Sequence, residues 1–360
     1  MIVENILETI GNTPVLHIAL RGGEVSLFIK LEMFNPTGSM KDRMALSMIR
    51  NLPHGEHGAP PEVVESSSGN TASGLSMISA VMGMKFTALM DHHASPDKIN
   101  TVRALGGEVI VVGNPDGTLA TGMRDSLARE MSLKEGVHWT EQHNNPANGD
   151  GYESLAAELL RDIGPSITHF VSAIGTGGSL CGTARALRRT LPALRVIGVE
   201  PAGSVVFGGS GHVYHQSGTG TPAGADVGLV IDYDVIDHGR KVNDGAAFSV
   251  CRYLARKHGL LVGGSTGGAV FEALRIARDA PRGSKIVTLA CDSGTKYLDS
   301  IYNDEWLAAR NIGLTNIDDD FADVLADTMT APNLVYRRPA VTVASATRNE
   351  TARNSIVASA

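Results

Sequence analysis

The chain has 360 residues, 42% hydrophobic and 19% charged, enough for two globular domains or one large one. A net charge of −7 with no basic block gives nucleic-acid binding no electrostatic support. No apolar run reaches membrane-spanning length, and "MIVENILETIGNTP" has no signal-peptide pattern, so no membrane association is expected.

In chain order, the first marked helix follows "FNPTGSMKDRMALSMIR", Phe34 to Arg50. Met40, Met44 and Met48 recur every fourth residue, as do Ala45 and Ile49, which places one apolar stripe on a helix. Ser39 is its candidate N-cap, and Lys41 then falls in the first turn, where the helix dipole disfavours a cation. Lys41 is either a lysine long enough to reach water, or an amine meant to lose its proton and act as a nucleophile.

"TASGLSMISAVMG" reads as a buried helix closed by Gly83, and "KFTALM" as a strand. His92-His93 is read as a surface or turn pair without a Cys or acidic partner at ligand spacing, so no metal site is expected. "SPDKINTVRALGG" is a helix with Ser95 at the cap, Pro96 at its first position and Gly106 past its end. "EVIVV" is a strand, "DGTLATGMRDSLAREM" a helix and "VHWT" a short strand. "HNNPANGD", near residues 143–150, reads as a crossing between two sheets. Beyond it come helix "GYESLAAELLRDI", strand "THFVSAI", helix "SLCGTARALRRTL" and strand "LRVIGVE". Residues 208–224, "GGSGHVYHQSGTGTPAG", are too poor in apolar residues for core and read as a mobile loop. Two helices, "DGAAFSVCRYLARKHG" and "TGGAVFEALRIARDA", then precede the strand "SKIVTLAC". "TNIDDDFADVLADTM" is read as one acidic amphipathic helix, and residues 313–360 as a C-terminal tail, partly disordered. Strands alternating with helices predict an α/β fold with parallel sheets covered on both faces. Cys181, Cys251 and Cys291, odd in number and far apart, fit buried thiols in a reducing compartment.

Three small-residue loops share one chemistry. "ESSSGNTASG" (65–74), "IGTGGSL" (174–180) and "VGGSTGGAV" (262–270) each open a helix, and the first two follow apolar strand residues. Ligands of open parallel sheets bind beyond the carboxyl ends of the strands, and backbone N–H groups beside small residues cradle anions. "GTGGS" suits a phosphate; it is neither a Walker A loop nor GxGxxG.

Taken in order, "IGNTPVLHI", "NPTGSMKDR", "SSSGNT", "NPAN", "GTGGS" and "GGSTGGA" resemble the motifs of fold-type II pyridoxal-phosphate enzymes, specifically the cysteine synthase and cystathionine β-synthase family, over roughly residues 5–310. The resemblance implies a tryptophan synthase β-like fold of two three-layer parallel-sheet domains with pyridoxal 5′-phosphate in the cleft between them. The larger domain would comprise residues 1–36 and 146–312, and a smaller, mobile one residues 37–145. By the same resemblance Lys41 carries the cofactor as a Schiff base and moves the α-proton. Gly175, Thr176, Gly177, Gly178 and Ser179 cradle its phosphate, Asn70 hydrogen-bonds the ring hydroxyl oxygen, and Ser265 faces the pyridine nitrogen. Ser67, Ser68, Thr71 and Gln142 hold the substrate α-carboxylate, although Ser67–Thr71 also reads as a capping run. A homodimer in the cytoplasm, acting on amino acids without nucleic acid or metal, is implied as well.

The implied reaction is β-replacement on an O-activated L-serine. "ESSSGN", "VEPAGSVVFGG", "GGSTGG" and "GTKYLDSIYNDEWL" resemble the synthases of N-(2-amino-2-carboxyethyl)-L-glutamate, a precursor of 2,3-diaminopropionate and siderophores, which use O-phospho-L-serine and glutamate. "GTGGS" is nearer the ordinary cysteine synthases, "GTGTPAGAD" carries no arginine for a glutamate acceptor, and Ala72 stands where the family usually has glycine. Arg43 and Arg103 are candidate cations for the donor phosphate. The alternative is a cysteine synthase using O-acetyl- or O-phosphoserine with sulfide or thiosulfate. A serine or threonine dehydratase and a non-catalytic binding partner are weaker readings.

Overall fold

A computed structural model describes residues 2–53, 60–113 and 120–326 of the chain. It opens with a hairpin, β1 (Val15–Leu20) and β2 (Val25–Lys30), the one antiparallel pairing among the described strands. Its turn carries positive φ at Arg21, Gly22 and Gly23, and glycine adopts that backbone without a Cβ penalty. The sequence reading missed this hairpin. The following segment holds α1 (Lys41–Arg50), β3 (Glu62–Ser66), α2 (Asn70–Met82), β4 (Phe86–Asp91), α3 (Pro96–Ala104), β5 (Glu108–Val112), α4 (Thr121–Met131) and β6 (Val137–Trp139). Short α5 (Ala147–Asp150) lies in the crossing, followed by α6 (Glu153–Ile163), β7 (His169–Ala173), α7 (Thr183–Arg188), β8 (Arg195–Pro201) and β9 (His238–Val242). The chain continues through α8 (Asp244–His258), α9 (Gly264–Asp279), β10 (Lys285–Leu289), α10 (Asp304–Ala308), α11 (Ile317–Asp320) and α12 (Ala322–Leu325).

Two sheets result. The larger has the order β1-β2-β10-β7-β8-β9 and the smaller β5-β4-β3-β6. Beyond the hairpin every pairing is parallel, as helical crossovers demand. The expected α/β architecture is therefore present, and the segment 37–145 carries the whole smaller sheet. β9 was not foreseen, because "HGRKV" has no apolar alternation; four of its five residues are exposed on a sheet edge. No described helix is long and apolar enough to cross a membrane.

The methionine stripe of α1 is buried, with Met44 and Met48 fully so, and it packs with α2 residues Leu75 and Ile78 into one core cluster. The N-cap falls on Met40, one residue later than expected, while the Ser39 hydroxyl accepts the Lys41 N–H at 3.3 Å. "SLCGTARALRRTL" forms a π-turn over Gly178–Gly182 before α7, in place of one regular helix.

Two further readings need correction. Residues 208–224 are a loop, but a pinned one: Gln216 Nε2 donates to Val242 O at 2.9 Å, Thr219 Oγ1 to Ile174 O at 2.8 Å, and the Gly220 N–H to Ile174 O at 2.7 Å. Backbone and side-chain hydrogen bonds do the holding that apolar residues would do elsewhere. The acidic segment after residue 313 forms α11 and α12, two short helices that bury Ile317, Phe321, Val324 and Leu325 in the core cluster of α8 and α9. The packed part of the chain thus extends past the expected boundary at 313 to Leu325, and residues 327–360 lie outside the described residues. So do 114–119, the start of the helix expected over "DGTLATGMRDSLAREM", which is helical from Thr121.

Candidate active site

In each sheet the parallel strands bring their carboxyl ends to one edge, and contacts between the two edges, such as Asn70 with Asp292, bring the quoted loops together. β3 runs into Ser67–Asn70 and α2; β7 runs into 174–177; β10 runs into Cys291–Gly294, whose Ser293 bridges Val262 just before α9. Ser39 bridges Asp292, and the Met40 N–H donates to Cys291 O at 2.9 Å, which docks the start of α1 on the end of β10.

Lys41 is the first residue of α1. Burial lowers its ammonium pKa, against the opposing pull of Cys291 and Asp292. The first-turn dipole acts in the same direction as burial. Its amine is thereby biased toward the neutral, nucleophilic form.

Asn70, the first residue of α2, is held from two sides. Its Nδ2 donates to Asp292 Oδ2 at 2.8 Å, and Lys296 Nζ donates to its Oδ1 at 2.6 Å. Lys296 Nζ also donates to Thr37 O at 2.9 Å, so one ammonium ties the loop before Lys41 to the start of α2. Tyr297 Oη donates to Asp292 Oδ2 at 2.6 Å, whereas Asp292 Oδ1 is buried without a partner among the described residues. Asp292, Lys296 and Tyr297 were not singled out from sequence; "GTKY" drew notice only as part of a family-like run, and Asp292 lay outside it.

The Thr71 hydroxyl donates to Gln142 Oε1 at 2.8 Å, so these two predicted carboxylate ligands meet. Ser67 Oγ accepts the Gly69 N–H at 3.3 Å. Ser68 Oγ instead accepts the Asp91 N–H at 2.6 Å, turned toward the loop after β4. Ser265, second residue of α9, lies against Cys291: burial and Asp292 push that thiol up to about 11, and its hydrogen bonds to Ser265 and Thr266 oppose this. Glu65 anchors the Gln142 segment, accepting the Gln142 N–H at 3.2 Å and the Thr140 hydroxyl at 2.5 Å. Burial raises its pKa to about 7 despite those bonds.

The 175–179 loop suits a phosphate. Thr176 and Ser179 are buried hydroxyls, and no acidic residue lies between 174 and 183. Gly177 has φ +91°, and a Cβ on Gly178 would stand 1.9 Å from Asn148 Oδ1, so neither position tolerates a side chain. Asn148, from the "NPAN" run, donates through Nδ2 to both Thr176 Oγ1 at 2.9 Å and Gln142 O at 2.7 Å. Its own Oδ1 is buried and unpaired among the described residues. The Thr176 and Ser179 hydroxyls and the close backbone approach that the glycines allow form a cradle that fits the phosphate of pyridoxal phosphate, whereas Asn148 Oδ1, an acceptor, adds nothing to anion binding.

A family profile described as "Pyridoxal-phosphate dependent enzyme" matches residues 6–292. This chain belongs to that family. A protein of Sinorhizobium fredii (strain NBRC 101917 / NGR234) with the provisional name cysteine synthase is 46% identical over 316 residues, covering 87% of this chain and 94% of that protein. The N-(2-amino-2-carboxyethyl)-L-glutamate synthase of Ralstonia nicotianae (strain ATCC BAA-1114 / GMI1000) is 37% identical, covering 86% of this chain and 92% of the relative. Among solved structures, the O-acetylserine dependent cystathionine beta-synthase from Helicobacter pylori superposes with a TM-score of 0.73 at 32% identity, covering 83% of this chain and 98% of that one. The cofactor of this pyridoxal-phosphate enzyme is therefore the expected one. Its reaction class is that of the cysteine-synthase-like transferases, which make β-substituted alanines from an O-activated serine.

Several expected charges are placed differently from the sequence reading. Arg43 is not available to a donor phosphate. Its guanidinium is buried between Glu32, at 2.7 Å, and Glu158, at 2.8 Å, and those partners raise its pKa against burial. Arg103 is exposed on α3. The cations that the fold does gather are Lys98 and Lys296: burial lowers the pKa of each, while Asp292 pulls each back up. The His92-His93 pair has an acidic partner after all, since Asp91 Oδ1 lies 3.3 and 2.9 Å from the two Nδ1 atoms. Asp91 already accepts the His93 and Ala120 N–H groups, and Arg124 stands 4.0 Å away. These contacts make the trio a lock on the turn after β4.

Proposed function

We propose that this enzyme joins an amine to the β-carbon of O-phospho-L-serine, with L-glutamate as acceptor, giving a 2,3-diaminopropionate precursor for siderophore biosynthesis. The observation that carries this reading is the excess of cations at one sheet edge. Lys41, Lys98 and Lys296 all feel the carboxylate of Asp292, with Asp42 acting on Lys296 as well, and the Lys98 ammonium has no hydrogen-bond or ion-pair partner among the described residues. Lys98 lies in the first turn of α3, which starts beyond β4 beside the start of α2. A phosphorylated donor brings about two negative charges that an acetylated one lacks, and glutamate as acceptor adds carboxylates that sulfide lacks. The name of the Ralstonia relative favours the same chemistry.

Pyridoxal phosphate, when bound, supplies electron withdrawal from the amino acid's α-carbon. The chain's own residues supply position and proton control. The 175–179 loop would hold the cofactor phosphate, Asn70 and Ser265 its ring, and Ser67, Ser68, Thr71 and Gln142 the substrate carboxylate. Lys41 would anchor the cofactor, then take the Cα proton as a neutral amine and return it after the β-substituent has been exchanged. Closure of segment 37–145 over the bound amino acid and a homodimeric state, checked by scattering with and without substrate, belong to the same proposal.

The second reading, cysteine synthesis with sulfide, is favoured by the 46% identical relative. Steady-state comparison of O-phospho- and O-acetyl-L-serine, each with glutamate and sulfide, separates the two. Preference for acetylserine with sulfide by about tenfold, or ~1.4 kcal/mol in transition-state binding, sinks the phosphoserine–glutamate reading. Lys98→Met should lower kcat/KM for the phosphorylated donor by about tenfold or more and spare the acetylated one.

A further inference from the structure

Resting on the ring contact assigned to Asn70 above, we infer that Asp292 and Lys296 are positioning residues. From opposite sides they lock the Asn70 amide so that one Nδ2 hydrogen stays aimed at the cofactor's ring oxygen. An asparagine amide is nearly symmetric in shape, and turning it over exchanges a donor for an acceptor. At Asn70 the neighbours forbid the exchange. Asp292 Oδ2, which takes the Asn70 Nδ2 hydrogen bond at 2.8 Å, is a carboxylate oxygen and only accepts. Lys296 Nζ donates to Asn70 Oδ1 at 2.6 Å, to Thr37 O at 2.9 Å and to Gly38 O at 3.4 Å, so its three hydrogens meet three oxygens. A turned amide would set oxygen against carboxylate and N–H against ammonium.

Both locking groups are built into one short stretch. Asp292 is buried, and Lys296 follows it within the 3₁₀ turn Gly294–Tyr297. Tyr297 Oη donates to the same Asp292 Oδ2 at 2.6 Å, and the Gly263 N–H donates to Asp292 O at 3.4 Å. A Cβ on Gly263 would stand 2.2 Å from Asp292 Oδ1, so bare backbone at the start of α9 leaves the room that the carboxylate fills.

Asn70 is half-buried, and among the described residues Asp292 is the one partner of its Nδ2. The second Nδ2 hydrogen is therefore free, and its direction is fixed by the lock. A donor held in place favours the anionic form of the oxygen it faces. In pyridoxal phosphate the ring hydroxyl and the aldehyde sit on neighbouring carbons. The amine that takes the aldehyde and the donor to the oxygen must then stand side by side. Lys296 ties together the two segments that carry them, Thr37–Gly38 just before Lys41 and Asn70 at the start of α2. A group that orients a contacting residue in this way affects the cofactor only through that residue.

The absorbance of the cofactor-loaded protein at fixed pH reports the ring oxygen, since its anionic form absorbs in the visible and its protonated form in the near ultraviolet. Asn70→Ala should lower the visible to near-ultraviolet ratio by about tenfold or more, the loss of a hydrogen bond to a charged oxygen. Asp292→Ala and Lys296→Met should each lower it by at least about threefold, and Asp292→Asn, which keeps an acceptor of the same shape, should stay within about twofold of the wild type. In the Asn70→Ala background neither Asp292→Ala nor Lys296→Met should change the ratio further. Wild-type ratios in Asp292→Ala and Lys296→Met overturn the proposal, and so do shifts that add in full to that of Asn70→Ala, because the two groups would then act on the cofactor directly. Should Asp292→Ala fail to fold, Lys296→Met, at a half-buried position, decides by the same comparison. An unaltered ratio in Asn70→Ala itself shows that the ring contact is wrong, and the lock falls with it.

Discussion

Glu65 is the most informative single perturbation. It is buried at the end of β3, unpaired by any cation at contact distance among the described residues, and it anchors Gln142 and Thr140. Burial raises its pKa from 4.5 to about 7. Folding therefore favours the protonated carboxyl. Its contribution to stability is complete below the unfolded pKa, falls as pH rises through about 7, and is flat above that. At ~1.4 kcal/mol per pH unit, the rise amounts to about 3 kcal/mol. Glu65→Gln keeps an acceptor for Thr140 and for the Gln142 N–H and cannot ionise. Urea unfolding of both proteins from about pH 5 to about pH 8 should show the variant gaining up to about 3 kcal/mol on the wild type across that range. The same ionisation should loosen the Gln142 segment, so the wild-type KM for the amino-acid donor should rise with pH more steeply than the variant's. Parallel stability curves would refute the reasoning and mean that Glu65 is charged in the folded protein, neutralised by a group such as Arg124.

Lys41→Ala should abolish β-replacement and leave the fold intact; borohydride reduction and peptide mapping should find the pyridoxyl group on residue 41, with exposed Lys85 as control. Lys30 is unsuitable as a control, because it is fully buried against Glu158 at 2.8 Å. Arg43→Leu leaves Glu32 buried without a cation and Glu158 with Lys30 alone, and denaturant unfolding should register a loss of about 3–5 kcal/mol. Gln142→Ala should weaken donor binding roughly 10–150-fold, the equivalent of a ~1.5–3 kcal/mol charged hydrogen bond, with cofactor affinity nearly unchanged; equal loss of both would make it a support for the fold. Ser265→Asp should protonate the pyridine nitrogen, slow β-replacement and increase side reactions with cofactor still bound, and an unaltered rate and product pattern would move Ser265 away from that nitrogen.

The alternation of strands and helices, the small-residue loops and the apolar stripe of α1 were legible in the sequence because each is a local pattern. A parallel sheet forces loops that follow strands onto one edge, so the placing of "SSSGN" and "GTGGS" at strand ends followed from order alone; that the two sheets' edges meet, and that "GGSTGG" after α8 joins them through the Val262–Ser293 bridge, did not. Lys41 stood out for a similar reason, since its position in a helical first turn is a matter of spacing. The hairpin β1–β2 and the edge strand β9 were not legible. Their side chains alternate weakly, and hydrogen bonds to distant strands define them. Charges were the least legible of all. Arg43 was open to a donor phosphate or to an acid on its own helix, yet Glu158, 115 residues away, claims it. Lys98, Asp292 and Lys296 were unremarked in sequence and share one electrostatic site in the fold. A residue's period along the chain depends on its near neighbours, but its protonation and its partners depend on which distant groups displace water around it. For that reason the tertiary structure alone decided which cations remain for a substrate.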